Sequence, residues 1–340
     1  MKAIVKKYKQ SGLEIEDVPV PDIKDDEVLI KTIKTSICGT DLHIYEWDAW
    51  AQKVIHVPLV IGHEFMGKIA KVGRHVKNLK EGDRVSGEGH LTCGVCPLCR
   101  EEKRHLCPNT LGLGVNRHGC FAEYFHFPAT NVFPLPSNVS DDIAAILDPY
   151  GNAAHTALSF SLTGEDVLIT GAGPIGIMAA AIAKKAGARI VMITDRNPYR
   201  LALAKKMGAT HTVNIESQSL QEAMLEAGVQ YGFTVGLEMS GNEKALVSLL
   251  EAAQHGAHLA LLGIFPEKCA INMDLVIFKM LTIKGIYGRE IFKTWYQTTH
   301  LLESGLDLSP IITHQFAADD YEQGFAAMRA GNCGKVILNW

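Results

Sequence analysis

Asp166-Val167-Leu168-Ile169-Thr170-Gly171-Ala172-Gly173-Pro174-Ile175-Gly176 is an apolar strand-forming run that ends in glycines spaced G-x-G-x-x-G. Such a string means little alone, but here it follows a strand and opens an alanine-rich helix, the setting in which it binds a dinucleotide. The glycines allow a tight turn and close backbone approach. The helix start presents free N–H groups and the positive end of its dipole to a pyrophosphate. Asp195 closes the next strand, where a carboxylate would accept the adenosine ribose hydroxyls and repel a 2′-phosphate, favouring NAD over NADP. Arg196 beside it is able to accept that phosphate instead. Arg200, one turn further, is either a ligand of the adenosine or pyrophosphate or a solvated helix residue.

Outward from this turn, strands alternate with helix-period segments, the rhythm of a parallel sheet. Six candidate strands occupy Val167 to Thr170, Ile190 to Thr194, Thr212 to Ile215, Thr234 to Met239, His258 to Leu262 and Thr282 to Tyr287. Six is the complement of a doubly wound nucleotide fold. Helix punctuation agrees: Pro174 near a start, Lys184 and Lys185 in a last turn with Gly187 beyond, Asn197-Pro198 opening the next helix and Gly208 closing it. Upstream, to about Asn131, short β-like runs such as Glu27 to Ile33, Gly67 to Gly73 and Gly82 to Val85 suggest an irregular, barrel-like β domain. After Tyr287, helical stretches near Phe292 to Ser304 and Tyr321 to Arg329 lead to a seventh strand, Lys335 to Leu338. The chain is therefore expected to return to its first domain, so that residues 1–150 with 291–340 form one unit and 151–290 the nucleotide domain.

At 340 residues the chain has room for about two domains. With 47% hydrophobic and 21% charged residues it resembles an ordinary folded protein. A net charge of −4 offers no positive field for nucleic acid or anionic lipid, which leaves a small molecule as the expected partner. The first residues lack the apolar core of a signal peptide, and glycines and Pro174 interrupt the uncharged stretch Val167 to Ala183. A cytoplasmic chain without a membrane span is expected.

In a reducing compartment, clustered cysteines point to metal. Four of the eight cysteines, Cys93, Cys96, Cys99 and Cys107, share one loop, a spacing that lets four thiolates close a tetrahedral, structural zinc site. An iron–sulfur cluster is the rival, although the Cys-Pro of ferredoxin spacing is missing. Cys38, His63 and Glu64 form a second constellation: three ligand types that would leave zinc an open position for an alcohol. Thr40 and His43 beside Cys38 supply the hydroxyl and imidazole that a proton path to solvent needs.

Taken together these motifs resemble the zinc-dependent medium-chain dehydrogenase/reductase family over essentially the whole chain. The most specific strings are Ile37 to Tyr45, Val85 to His90, Asp148 to Leu158 and Gly285 to Glu290. The resemblance implies an α/β protein, a GroES-like β-barrel catalytic domain plus a doubly wound Rossmann domain, with NAD and two zinc ions per subunit. It implies oxidation of the 3-hydroxyl of L-threonine to L-2-amino-3-oxobutanoate, a homotetramer, and handover of the product to 2-amino-3-oxobutyrate CoA ligase. On this resemblance Cys38, His63 and Glu64 hold the catalytic zinc and the four-cysteine loop the structural one. Thr40 and His43 form the proton relay. Asp148 stands where many relatives place a cysteine ligand, and is assigned to tuning or exchanging at the metal. Ile175 lines the cofactor cleft, Asp195 and Arg200 the adenosine end. Leu262, Gly263, Ile264, Ile286 and Tyr287 form the nicotinamide wall. Glu64, Asp148 and Glu88 are candidate acceptors for a substrate ammonium, and His90 a candidate donor. A polyol or secondary-alcohol dehydrogenase would share both zincs and the cofactor fold and differ in the pocket; a zinc-ribbon nucleic-acid or interaction module with a degenerate nucleotide fold is the rival of another class, and the net charge of −4 and the intact glycine loop count against it.

Overall fold

The computed structural model describes residues 1–340. Six parallel strands form one sheet in the spatial order His211–Asn214, Ile190–Asp195, Asp166–Thr170, Phe233–Glu238, Ala253–Leu261, Thr282–Gly285. In chain order that is 3-2-1-4-5-6, so the winding reverses between the first and fourth strands and opens a crevice at their carboxyl ends. The central strands are buried on both faces, which is why Val167, Leu168 and Ile169 and then Val191, Met192 and Ile193 read as unbroken apolar runs. Helix Pro174–Lys185 is buried from Gly176 to Ala183. Asn197 caps the next helix, Pro198–Lys206, by accepting the N–H groups of Tyr199 and Arg200.

Two strands differ at their ends from the sequence reading. The fifth strand starts at Ala253, directly after helix Glu243–Ala252, with an irregular register before Val235. The sixth ends at Gly285, although the Ile286 N–H still donates to the Leu261 carbonyl at 2.8 Å.

The other large sheet runs Val132–Pro134, Arg84–Gly87, Glu64–Val72, Glu27–Ser36, Lys335–Asn339, Ile312–Ala317, with Tyr124–Pro128 also paired to Glu27–Ser36. Register shifts at Leu29/Ile30 and Thr32/Lys34 bend the long strand, so it serves partners along different parts of its length. Phe65, Phe125 and Phe127 fill the interior in edge-to-face pairs with centroids 4.8 to 5.9 Å apart. One row of this sheet positions the site: Ser36 is opposite Glu64 on one side and Ile337 on the other. Residues distant in sequence thereby meet just beyond the end of Glu27–Ser36.

Helix Leu147–Ala157 crosses between the two sheets and packs with helix Lys293–Glu303 around buried Tyr150 and Trp295. No helix is long and apolar enough to cross a membrane.

The glycine turn sets a steric test. A Cβ on Gly176 would stand 2.1 Å from the Gly171 carbonyl oxygen. Gly176→Val should therefore push the helix off its strand and lower the unfolding free energy by about 1–3 kcal/mol, read as a fall in urea midpoint at constant m.

Candidate active site

The four loop sulfurs converge. Cys93, Cys96, Cys99 and Cys107 present sulfurs all within 4.8 Å of one another, with Cys93–Cys107 at 3.5 Å and Cys96–Cys107 at 3.9 Å. Sulfurs bound at about 2.3 Å to one tetrahedral ion stand about 3.8 Å apart, so the loop fits zinc as it is folded. Backbone N–H groups of Val95 and Cys96 hold the Cys93 thiol down to about 6, favouring thiolate. No disulfide competes for these residues.

Cys38, His63 and Glu64 form a second group, their ligand atoms also within 4.8 Å of one another. Cys38 caps helix Gly39–Glu46, its N–H donating to Asp41 Oδ2 at 2.9 Å. Asp41 Oδ1 lies 3.7 Å from His63 Nδ1. A carboxylate behind one ring nitrogen is the arrangement that orients a metal-binding imidazole and leaves the other nitrogen for the ion. Glu64 is fully buried; Oε2 accepts from Lys335 Nζ at 2.6 Å, and Oε1 has no partner. Burial disfavours charge on His63, yet Asp41, Cys38 and Asp148 outweigh it and raise its pKa well above the imidazole range. Such an excess of negative charge around an orphaned carboxylate oxygen suits a bound divalent cation.

At the glycine turn, Gly171 has φ +96° and a Cβ there would meet Ser240, whereas a Cβ on Gly173 would meet nothing within 4 Å. Open space over Gly173 is where a phosphate can approach the backbone. Ile175 follows in the first helical turn. Asp195 Oδ2 accepts the Ala172 N–H at 2.7 Å and Oδ1 accepts those of Arg196 and Asn197 at 2.8 Å each. The carboxylate thus braces the turn while standing at the strand's carboxyl end. The Arg200 Nε is buried without a partner. Leu262 and Gly263 donate their N–H groups to the Glu238 carbonyl. Ile264 is 86% exposed and Tyr287 62% exposed, apolar surface at the ends of the fifth and sixth strands.

Residues 24–137 match the alcohol dehydrogenase GroES-like domain and residues 174–304 the zinc-binding dehydrogenase domain. The chain is 62% identical to the L-threonine 3-dehydrogenase of Protochlamydia amoebophila and 60% identical to that of Chromobacterium violaceum, covering 100% of both proteins in each case. It belongs to the zinc-dependent medium-chain dehydrogenase/reductase family. An alcohol dehydrogenase of Escherichia coli CFT073 complexed with NADH superposes with a TM-score of 0.92 at 29% identity, over 100% of this chain and 99% of that one. The molecule is accordingly an oxidoreductase of the alcohol dehydrogenase type, with zinc and a nicotinamide dinucleotide as cofactors.

Two buried cations that the motifs do not announce stand beside the site. Lys335 comes from the last strand. Arg289 follows the sixth strand and reaches across to the metal side: Nη1 stands 2.7 Å from Asp148 Oδ1, and Nε donates to Glu88 Oε2 at 2.9 Å. Trp295 Nε1 donates to the same Glu88 oxygen at 3.0 Å, and Arg289 Nη2 takes the other. Glu88 is therefore saturated, its carboxyl held down to about 2 because Arg289 overcomes the burial that would raise it. That removes it as an acceptor for a substrate. Burial and the nearby Arg289 push His90 down to about 4, so at neutral pH it is an uncharged ring, stacked on Tyr287 at 5.0 Å. Asp148 is pushed up to about 6, burial and neighbouring carboxylates outweighing Arg289.

Thr40 Oγ1 lies 3.8 Å from Cys38 Sγ, while His43 projects to the surface. Each metal site should be separable by mutation. Metal analysis of Cys38→Ser should lose one zinc with the fold intact. Cys96→Ser should lose the other together with thermal stability, because a closed four-thiolate site contributes folding energy. Iron and sulfide in the wild-type protein would contradict this.

Proposed function

We propose that the chain oxidises the 3-hydroxyl of L-threonine with NAD to L-2-amino-3-oxobutanoate. The observation that carries this reading is identity of 58–62% over the full length to proteins named L-threonine 3-dehydrogenase. The three-ligand cluster supplies chemistry to match. In this reading the units are 1–150 with 291–340 and 151–290, joined through helix Leu147–Ala157. Cys38, His63 and Glu64 hold the catalytic zinc, and Cys93, Cys96, Cys99 and Cys107 the structural one.

Zinc bound at the first site would supply Lewis acidity to the alcohol, and NAD in the crevice would accept hydride. The chain's own groups do the rest. Gly171, Gly173, Ile175 and Gly176 seat the pyrophosphate; Asp195 and Arg200 hold the adenosine. Leu262, Gly263, Ile264, Ile286 and Tyr287 wall the nicotinamide and keep water from it. Thr40 and His43 lie three residues apart on helix Gly39–Glu46, hence on one face, and pass the alcohol proton outward. With Glu88 held by Arg289 and Trp295 and Glu64 in the ligand cluster, Asp148 is the acceptor left for the substrate ammonium. The exposed apolar residues of helix Met273–Phe278 and edge strand Thr282–Gly285 suit subunit contacts, in keeping with a cytoplasmic homotetramer that hands its unstable product to a 2-amino-3-oxobutyrate CoA ligase.

The test is NADH formation with L-threonine, L-serine, sorbitol and 2,3-butanediol side by side. L-Threonine should exceed L-serine in kcat/KM by about 10–200-fold, the worth of one methyl contact, and exceed the diols by more. A diol turned over faster than L-threonine would move the enzyme to the polyol branch. NAD should be far better than NADP, and Asp195→Gly should narrow that gap; equal wild-type use of both would overturn the assignment of Asp195.

A further inference from the structure

Asp48 has two jobs, and only one of them is structural. It follows Trp47, whose φ of +56° ends helix Gly39–Glu46 and turns the chain back, so that Asp48 stands against His43 of the preceding helix. Its Oδ1 accepts the N–H groups of Trp50 and Ala51 at 3.1 and 3.0 Å, capping helix Ala49–Val54. That cap needs one oxygen, and a serine or asparagine would serve as well. The second oxygen, Oδ2, lies 2.6 Å from His43 Nδ1. The Trp50 ring, 6.0 Å from the imidazole, borders it as well.

The carboxylate decides which ring nitrogen carries hydrogen. Burial opposes ionisation of Asp48, but the hydrogen bonds from Ala51, His43 and Trp50 outweigh it and hold the carboxyl below its usual range. An ionised carboxylate has no proton to give, so His43 Nδ1 must carry the hydrogen, and in the neutral ring Nε2 then carries the lone pair.

We propose that Asp48 is the positioning residue of the proton path, fixing His43 in the Nδ1–H tautomer so that Nε2 is free to accept the proton arriving from the substrate alcohol by way of Thr40. This rests on the reading of Thr40 and His43 as the relay. In the step, the Thr40 O–H bond breaks as an N–H bond forms at Nε2, and the Thr40 oxygen takes up the proton of the substrate hydroxyl; the ring becomes imidazolium beside the Asp48 carboxylate. His43, 59% exposed, then releases the Nε2 proton to water and regains its starting tautomer. No electrons change hands in this transfer.

Asp48→Asn separates the two jobs. The amide oxygen keeps the helix cap, while the NH2 group replaces the oxygen facing His43, so Nδ1 must become an acceptor and the hydrogen must move to Nε2. With zinc-loaded enzyme, L-threonine and NAD, kcat should fall about 10–100-fold with zinc content and Tm unchanged; the loss is smaller than for a buried dyad because this pair is solvated. Histidine 15N spectra, with the His43 signals assigned by their loss in His43→Ala, should switch from the Nδ1–H to the Nε2–H pattern. If Asp48→Asn does not fold, Asp48→Ser keeps the cap and leaves the tautomer unfixed, with a several-fold fall in kcat expected. Wild-type kcat in a folded Asp48 variant, alongside an impaired His43→Ala, overturns the role of Asp48 alone. Wild-type kcat in His43→Ala overturns the relay itself.

Discussion

A buried carboxylate held by a buried ammonium organises the catalytic half of this protein. Glu64 and Lys335 are both inaccessible to water and meet at 2.6 Å, with the Ile37 carbonyl accepting a second Lys335 hydrogen at 2.8 Å. An unpaired charge in that position would cost several kcal/mol. The pair forms only if the last strand lies beside Glu27–Ser36, which in turn lies beside Glu64–Val72. The return of the chain to the first sheet is thus tied to the charge balance of the metal site. One consequence is geometric: with Oε2 taken by Lys335, Oε1 is the oxygen left for an ion.

Arg289 plays the matching part on the cofactor side. Its guanidinium is almost wholly buried and serves Asp148, Glu88 and the Asn152 side chain. It follows Ile286 and Tyr287, the proposed nicotinamide wall, with Gly288 between. The two buried cations therefore divide the carboxylates: Lys335 holds the one that faces the ligand cluster, and Arg289 holds the two that flank it. Asp148, whose carboxyl is pushed up to about 6, is less firmly ionised than Glu88. Rigid neighbours on both sides are what a site needs when it must place a hydroxyl, an ammonium and a hydride acceptor together.

The nucleotide fold was legible because its signals are local. A strand buried on both faces is apolar throughout, and the glycine turn, Pro174 and Asn197-Pro198 mark their boundaries by backbone chemistry. The four-cysteine loop was legible for the same reason, since its ligands come from one turn-rich segment. What local reading missed are long-range pairings. The strand Ile312–Ala317 beside Lys335–Asn339 carries mixed polar residues without clean alternation. Lys335 opens an apolar strand like any surface cation, and nothing near it announces Glu64, 271 residues away. Glu88 reads as a substrate acceptor in the sequence, where nothing ties it to Arg289, 201 residues on, which consumes it. The one available hint was a charged residue at the head of an otherwise buried strand. Asp48 carries no signal of its own in the sequence, and only the placement of both its oxygens separates cap from partner.

The dependence of the site on the Glu64–Lys335 pair is measured most directly by a double-mutant cycle in urea unfolding, using Glu64→Gln, Lys335→Met and the combination. Each single variant leaves one buried group uncompensated, and the double variant removes both charges. A coupling free energy of about 2 kcal/mol or more, with the double variant more stable than additivity allows, is predicted. Additivity within about 0.5 kcal/mol would contradict the claim that this ion pair holds the metal site together.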